Sequence, residues 1–273
     1  MYRTKNNRNT GARMHTTAAV RRRKKRKRQI CRQILAFFCV CGLFLLCLRN
    51  GIPQDLEHLW VQVQLRTLDP AKYPKELLDL ADENPETFSF VKGYPDRDRY
   101  TKEAIDLSGD VTKGKVPLLM QWDRRWGYFD YGDTMLAFSG CGPTCMAMAY
   151  VYFTGDLSQN PITIADYAQA GGYHSKDGTS WTFWTDGAAG LGLTGETLPL
   201  QESSIRQALD DGKIVVCSMA PGDFTKKGHY ILLTGYDENG FTVNDPNHKS
   251  NSRKHWDYDT LSTQIKNLWS LSG

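Results

Sequence analysis

Cys141 lies in a segment whose residue types could perform covalent chemistry. Residues 139–145 read SGCGPTC and run directly into an apolar stretch that predicts a helix. A cysteine at a helix N-terminus experiences partial positive charge, which favours the nucleophilic thiolate. Gly140 and Gly142 carry no β-carbon, so a substrate carbonyl could come close to the sulfur and the backbone N–H groups. The pattern predicts a cysteine nucleophile, with a structural cysteine in a tight turn as the alternative.

His229 is the base that matches this nucleophile. It begins a strand-like run, and a turn at residues 237–240 leads into a second run that ends at Asn244 and Asp245, as in a hairpin. In a register that pairs Ile231 with Asp245, His229 and Asp245 are diagonal neighbours on one face. A carboxylate there would orient the imidazole. A slip of one residue would bring Asn244 to that face instead.

Three further histidines are rival bases, but His174, His248 and His255 all lie in polar, turn-like sequence that favours a solvated surface role. Cys141, Cys145 and His229 are spaced unlike the ligands of a typical zinc site, because no second cysteine pair follows. We therefore expect no metal and no organic cofactor.

Cys145 and Cys217 complete the thiols of the region beyond residue 115. Cys145, one helical turn after Cys141, is predicted to be a buried side chain that fills space in the core. Three cysteines cannot all pair with one another, so at least one is free or bridges another chain. Whether Cys145 and Cys217 pair is left open.

The elements that must position these residues indicate an α+β fold. Helical patterns come first and strands follow, with an antiparallel sheet in the C-terminal half. Residues 116–273 suffice for a single catalytic domain. The predicted helices are 143–154, ending before Gly155, and pieces near 162–169, 181–189 and 203–210; the predicted strands are 214–219, 229–235 and 241–244.

The N-terminal part differs sharply in charge from the remainder. The chain has 273 residues and a net charge of +4, but residues 1–49 hold 14 Lys/Arg and no Asp/Glu, which leaves 20 basic against 30 acidic residues beyond. Such an acidic remainder argues against nucleic-acid binding. The basic run 21–28 precedes the apolar segment 30–48 and predicts an uncleaved signal anchor, with 1–29 in the cytoplasm and the catalytic domain outside the cell. A cleaved signal peptide, a buried helix and a nuclear-localisation patch are alternatives.

Residues 50–115 connect the predicted anchor to the catalytic domain. Prolines punctuate short polar helical pieces, such as 75–84, in which acidic and basic residues alternate without a deep apolar face. This composition predicts either a stalk that spaces the domain from the membrane or a helical cap.

Together these motifs resemble the bacteriocin-leader-processing cysteine peptidases, especially their stand-alone papain-like relatives. The resemblance is carried by Gln121 in VPLLMQWD, by the segment around Cys141, by His229 in GHY and by Asp245 in NDP, and it covers roughly residues 116–250. It implies a papain-like fold in which Cys141 is the nucleophile, His229 the general base and acid, Asp245 its orienting residue and Gln121 the oxyanion-hole side chain. In transporter-linked members that glutamine lies closer to the cysteine, whereas 19 residues intervene here.

The sequence therefore predicts a membrane-anchored extracellular hydrolase of bacterial type that cleaves peptide or amide bonds. A peptidoglycan amidase or endopeptidase acting on cell-wall peptides, and a catalytically silent surface binding module, are the alternatives. Trp181 is predicted to line the substrate groove together with Gly140 and Gly142. Because there is one candidate span and no intact phosphate-binding loop, we expect no ATPase domain in this chain and do not assume double-glycine leader cleavage.

Overall fold

The computed structural model describes residues 54–176 and 178–273, of which Val61–Gly273 form one unit distinct from Met1–Trp60. The predicted tail, 1–29, and anchor, 30–48, lie outside the described residues. Among the helices of the described part, none has the length and apolar character needed to cross a membrane. The α-helices are α1 (Gln54–Leu65), α2 (Lys75–Glu83), α3 (Phe88–Gly93), α4 (Arg97–Tyr100), α5 (Leu136–Ser139), α6 (Cys141–Thr154), α7 (Pro161–Ala170), α8 (Asp186–Gly190), α9 (Glu202–Asp210) and α10 (Tyr258–Ser262).

A six-stranded sheet organises the C-terminal half in the order β5-β10-β6-β7-β8-β9, and every neighbouring pair is antiparallel. Two short hairpins, β1 with β2 and β3 with β4, lie outside it. The strands are β1 (Asp130–Tyr131), β2 (Thr134–Met135), β3 (His174–Ser175), β4 (Gly178–Thr179), β5 (Thr194–Thr197), β6 (Ile214–Met219), β7 (His229–Asp237), β8 (Gly240–Asn244), β9 (His255–Trp256) and β10 (Ile265–Ser272). The predicted α+β class with an antiparallel C-terminal sheet is therefore observed.

The large sheet is covered on both faces, because successive side chains of a strand point to opposite sides. Along β6, Ile214 and Val216 pack into the cluster that contains α6, whereas Val215 and Cys217 pack into a second cluster with Ile205 of α9. All six residues of β6 are buried. A strand that is almost entirely apolar is expected where both faces of a sheet are covered.

Helix α6 is the central helix of the first cluster. Its residues from Gly142 to Ala149 are all buried, as expected for a helix that is apolar on every side. The helix ends at Gly155, which adopts the left-handed conformation with φ of 70° and returns its N–H to the Val151 carbonyl. A glycine permits this ending without steric strain.

Residues 70–100, here called the cap, pack as a succession of short helices. Leu77, Phe88 and Phe90 are buried in a third apolar cluster that they share with Trp122 and Tyr128 of the following segment. The ring centroids of Phe90 and Tyr128 lie 4.3 Å apart. Short helices of this segment therefore pack on the residues that follow them through apolar side chains. The 3₁₀ turns of the chain are Pro70–Lys72, Pro85–Thr87, Tyr94–Asp96, Trp181–Trp184 and Asn251–Arg253.

Several elements differ from the sequence prediction, and two of them bear on the architecture. The helix expected at 181–189 is a 3₁₀ turn, Trp181–Trp184, followed by the short α8. Strand β10 was not predicted, although it lies between β5 and β6 inside the sheet. Its register shifts between Ile265 and Asn267, so its sequence does not keep the regular alternation that reveals a strand.

Candidate active site

Cys141 is the first residue of α6 and lines a cleft with its half-buried side chain. The preceding residue, Gly140, provides no side-chain cap for the helix N-terminus. The first N–H groups of a helix have no partner within it, and they carry the positive end of its dipole. The thiol therefore lies where negative charge is stabilised and where backbone donors are available.

The glycines beside Cys141 are required by the packing of the protein itself. A β-carbon at Gly140 would lie 2.5 Å from the Leu136 carbonyl oxygen, and one at Gly142 would lie 2.3 Å from the Thr179 hydroxyl oxygen. Both distances are below normal contact. These glycines let the turn into α6 pack tightly against α5 and β4, which fixes the position of the thiol.

His229 begins β7 and lies next to both Cys141 and Asp245. Its Nε2 is 2.8 Å from Asp245 Oδ1, which leaves Nδ1 for the thiol. Burial lowers the pKa of His229, but the charge and hydrogen bond of Asp245 and the neighbouring Cys141 outweigh this effect and raise the pKa to about 10. The imidazole is thus held as a cation at neutral pH.

The predicted register of the hairpin is confirmed at the end that carries the site. Leu232 pairs with Asn244 and Leu233 with Val243, which continues to Ile231 opposite Asp245. A bulge at Thr234 shifts the pairing by one residue nearer the turn. Asn244 points away from the imidazole, since its Nδ2 donates to the Pro117 carbonyl at 3.0 Å.

Asp245 begins a loop, residues 245–252, that we call the acid loop. Its carboxylate is fully buried, and besides His229 it accepts hydrogen bonds from the N–H groups of Asn247 (2.8 Å) and His248 (3.1 Å) and from Asn251 Nδ2 (2.8 Å). Burial alone raises the pKa of Asp245, but the His229 charge and these donors hold it below its ordinary value. Asp245 is therefore an oriented carboxylate anion.

Gln121 lies in the same cleft and is almost fully buried. Its Nε2 donates to the Ala137 carbonyl at 2.8 Å, and its backbone N–H donates to the Pro246 carbonyl at 2.8 Å. The bond to Ala137 identifies the amide nitrogen, because Oε1 cannot donate. Nε2 carries a second hydrogen that is free to serve another acceptor.

The cleft around these residues has a volume of about 500 Å³. The cap supplies one wall, and a loop before β7 supplies another. Gly140, Gly142 and Trp181 are not among its lining residues, and Trp181 instead packs edge-on against Trp269 with ring centroids 5.9 Å apart. The lining residues are Leu80, Glu83, Asn84, Gln121, Phe138, Cys141, Gly222, Asp223, Phe224, Thr225, Lys226, Lys227, Gly228, His229, Asn247 and His248.

The three rival histidines occupy different positions. His174 packs on the ring of Tyr131, and burial lowers the pKa of His174. His255 is exposed and pairs with Asp237 at 3.2 Å. His248 lines the cleft, but its backbone N–H, rather than its ring, is what contacts Asp245.

Cys145 and Cys217 are free thiols, as is Cys141. Cys145 belongs to the α6 cluster and Cys217 to the cluster on the opposite face of the sheet, so the two point away from each other. Burial raises the pKa of both thiols. Cys141 is consequently the one thiol of the described residues that is both accessible and beside a base.

The sequence prediction missed the residues that hold Asp245 in place. Asn251 donates to its Oδ2 from within a 3₁₀ turn, and Asn84 of the cap reaches the same loop from a remote part of the chain. Asn251 follows Asp245 by six residues in a polar loop, and no regular spacing marks it.

The sequence profile described as the Peptidase C39-like family matches residues 113–273, which is more than half of the chain. The chain therefore belongs to the Peptidase C39-like family, and it is a cysteine peptidase. The match begins three residues before the predicted domain start, and it excludes the cap. Among curated proteins, none matches this chain.

Solved structures of peptidase domains resemble it at low sequence identity. The peptidase domain of Streptococcus ComA, a bifunctional ABC transporter of a quorum-sensing pathway, is 18% identical, with a TM-score of 0.39 over 50% of this chain and 92% of that one. A double-glycine-motif protease of an AMS/PCAT transporter, solved with its leader peptide, is 14% identical, with a TM-score of 0.31 over 59% of this chain and 94% of that one.

Proposed function

We propose that this cysteine peptidase acts through a triad of Cys141, His229 and Asp245, with Gln121 in the oxyanion hole. One observation carries the proposal: a buried imidazole is bonded to a buried carboxylate through Nε2 at 2.8 Å while its other side faces Cys141. This arrangement holds a thiolate and an imidazolium side by side, which is the activated state of a cysteine nucleophile.

In the first half of the reaction, the Cys141 thiolate attacks the carbonyl carbon of the scissile peptide bond. The negative charge moves to the carbonyl oxygen, where the second Nε2 hydrogen of Gln121 and the backbone N–H of Cys141 donate to it. His229 then gives its proton to the departing amine. The C–N bond breaks, and a thioester joins the substrate's acyl group to Cys141.

In the second half, His229 is neutral and acts as a base. It removes a proton from a water molecule, whose oxygen attacks the thioester carbonyl. The second tetrahedral oxyanion collapses, the C–S bond breaks, and a carboxylic acid product leaves. Asp245 keeps Nε2 protonated throughout, so that Nδ1 remains the nitrogen that exchanges protons with the thiol, the amine and water.

The substrate that we propose is a peptide or a cell-wall peptide outside the cell. The basic run 21–28 followed by the apolar segment 30–48 supports a single-pass membrane anchor with a cytoplasmic N-terminus. Protease treatment of intact cells, compared with lysed cells, tests the orientation. Digestion of residues 61–273 only after lysis would contradict an extracellular domain.

Alkylation of the full-length chain by iodoacetamide across pH 4 to 9, with peptide mapping, tests the activated pair. We expect rapid labelling of Cys141 near pH 6 that is slowed by His229→Ala and abolished by Cys141→Ala, with Cys145 and Cys217 unlabelled in the folded protein. Labelling that rises only near pH 8.5, the ordinary range of a free thiol, and that ignores His229→Ala would contradict the triad.

The pH dependence of peptide cleavage tests the role of His229 as an acid. Because its pKa is raised to about 10, the imidazolium that protonates the leaving amine is present at neutral pH and is lost as the pH rises through that value. We expect kcat/KM to fall on the alkaline side near pH 10. A fall centred near pH 6.5, the ordinary histidine value, would contradict the strong coupling to Asp245.

A further inference from the structure

The cap contacts the acid loop through a short turn, residues 84–87. Asn84 Oδ1 accepts the N–H of Glu86 at 3.2 Å, and its Nδ2 donates to the Asn247 carbonyl of the acid loop at 2.8 Å. The buried hydroxyl of Thr87 donates to the Asn84 carbonyl at 2.7 Å. The turn is therefore held together by its own hydrogen bonds and is fixed to the acid loop through Asn84.

Glu86 uses both oxygens of its carboxylate on this loop. Oε2 accepts the backbone N–H of Lys249 at 2.6 Å, and Oε1 accepts that of Ser250 at 2.9 Å. Hydrogen bonds to an ionised acceptor are stronger than neutral ones, and two parallel bonds also fix direction. Glu86 consequently sets both the position and the orientation of this part of the loop.

Four consecutive backbone N–H groups of the acid loop serve two carboxylates. Those of Asn247 and His248 point inward at Asp245 Oδ1, and those of Lys249 and Ser250 point outward at Glu86. Asn251, the next residue, turns its side chain back to Asp245. Along the chain, the two residues that donate to Glu86 therefore lie between the residues that donate to Asp245. A movement of the loop at Glu86 consequently also moves the donors at Asp245.

We infer that Glu86 is a positioning residue for catalysis, which acts through the acid loop to orient Asp245 against His229. The inference rests on the proposed triad. By this inference the cap contributes to the geometry of the active site, although it lies outside residues 113–273, which the family profile matches. Without Glu86, the N–H groups of the acid loop no longer point at the Asp245 carboxylate oxygens. The imidazolium beside Cys141 is then less stabilised.

The test compares full-length wild type with Glu86→Gln and with Glu76→Gln, a control at an exposed glutamate of α2. The amide keeps the size of the side chain but turns an N–H₂ group toward one of the two donors. We expect the midpoint of the rate of Cys141 alkylation against pH to move upward by about one pH unit, or about tenfold in rate below the midpoint. Glu76→Gln leaves the midpoint unchanged.

Two further variants separate a positioning role from a merely structural one. In an Asp245→Asn background, Glu86→Gln is expected to add no shift, since the residue through which it acts is already lost. Glu86→Asp keeps the charge but shortens the side chain by one methylene, so that it no longer reaches both donors, and it is expected to shift the midpoint in the same direction.

Three results would overturn the inference. One is a lower Tm for Glu86→Gln with an unchanged midpoint, which would make Glu86 an anchor of the cap only. Another is a shift of the same size with and without Asp245. The third is an unchanged midpoint in Glu86→Asp, which decides the matter even where Glu86→Gln fails to fold. If wild type itself shows no His229-dependent alkylation, the proposed triad fails instead, and the two failures are distinguishable.

Discussion

Cys141, the proposed nucleophile, and Asp245, the proposed orienting acid, are held by two different kinds of structure. Cys141 begins α6, a helix that is buried on almost every side, so its position is set by the volumes of apolar neighbours. Asp245 begins an irregular loop, and its position is set by four hydrogen bonds to its carboxylate. The first arrangement is sensitive to added volume, and the second is sensitive to the loss or reversal of a donor.

Gln121 joins the two regions. Its side chain bonds to Ala137 in α5, directly before the nucleophile, and its backbone bonds to Pro246 in the acid loop. A residue in this position holds the two regions at a fixed distance from each other. This gives a structural reason for the proposed oxyanion-hole role of Gln121, although 19 residues separate it from Cys141.

The largest effect is expected from Asp245→Asn in the acid loop. The carboxylate has two acceptor oxygens, whereas the amide has one. The N–H₂ group of the new asparagine must therefore face an N–H donor, and the side chain no longer enforces the tautomer of His229. We expect kcat on a peptide substrate to fall about 10⁴-fold. Asp166→Asn, at an exposed aspartate of α7, is the control. A loss of less than tenfold for Asp245→Asn would show that orientation of the imidazole comes from elsewhere.

Gln121→Ala is expected to lower kcat about 10²- to 10³-fold, the usual cost of one oxyanion-hole donor. Alkylation of Cys141 passes through no oxyanion, so its pH profile should stay as in wild type. Measuring both reactions on the same variant separates transition-state stabilisation from activation of the thiol. Gln201→Ala, at an exposed glutamine, is the control. An equal slowing of alkylation would assign Gln121 a role in holding the two regions together instead.

Asn251→Ala removes one charge-assisted bond to Asp245, and we expect kcat to fall about tenfold, equivalent to about 1.4 kcal/mol of transition-state stabilisation. Asn251→Asp has nearly the same size but places a second carboxylate beside the first, so its loss should be larger. The ratio of the two variants, measured at neutral pH, is the observable. An Asn251→Asp variant that is more active than Asn251→Ala would mean that Asn251 contributes through packing alone.

The same contrast explains what could be predicted from the sequence. Strand β6 and the start of α6 near Cys141 were predictable because a mostly apolar run and a helix-opening Cys-Gly-Pro pattern are local signals. The proximity of His229 and Asp245 followed from strand parity together with one of two registers, and the other register would have brought Asn244 to the same face. Asn251, Asn84 and Glu86 were not predictable, because their partners are set by the path of an irregular loop and by a contact between segments more than 160 residues apart.

The smallest effect on catalysis is expected from Gly142→Ala on the nucleophile's side. The new β-carbon would lie 2.3 Å from Thr179 Oγ1, and Thr179 cannot retreat easily because its carbonyl accepts a hydrogen bond from Tyr230 at 2.9 Å. The overpacking should cost about 1 to 3 kcal/mol of the free energy of unfolding, with a few-fold loss of kcat as α6 shifts. Thermal or urea unfolding with activity at neutral pH checks both.

Two variants identify the cause of that cost. Gly109→Ala adds a β-carbon where nothing lies within 4 Å, and it should leave stability nearly unchanged. In a Thr179→Ala background, which removes the hydroxyl that the new β-carbon meets first, Gly142→Ala should cost less than in wild type. An undiminished cost there would place the strain in the backbone at the start of α6 rather than in its contact with β4, and the nucleophile would then depend on local conformation rather than on packing.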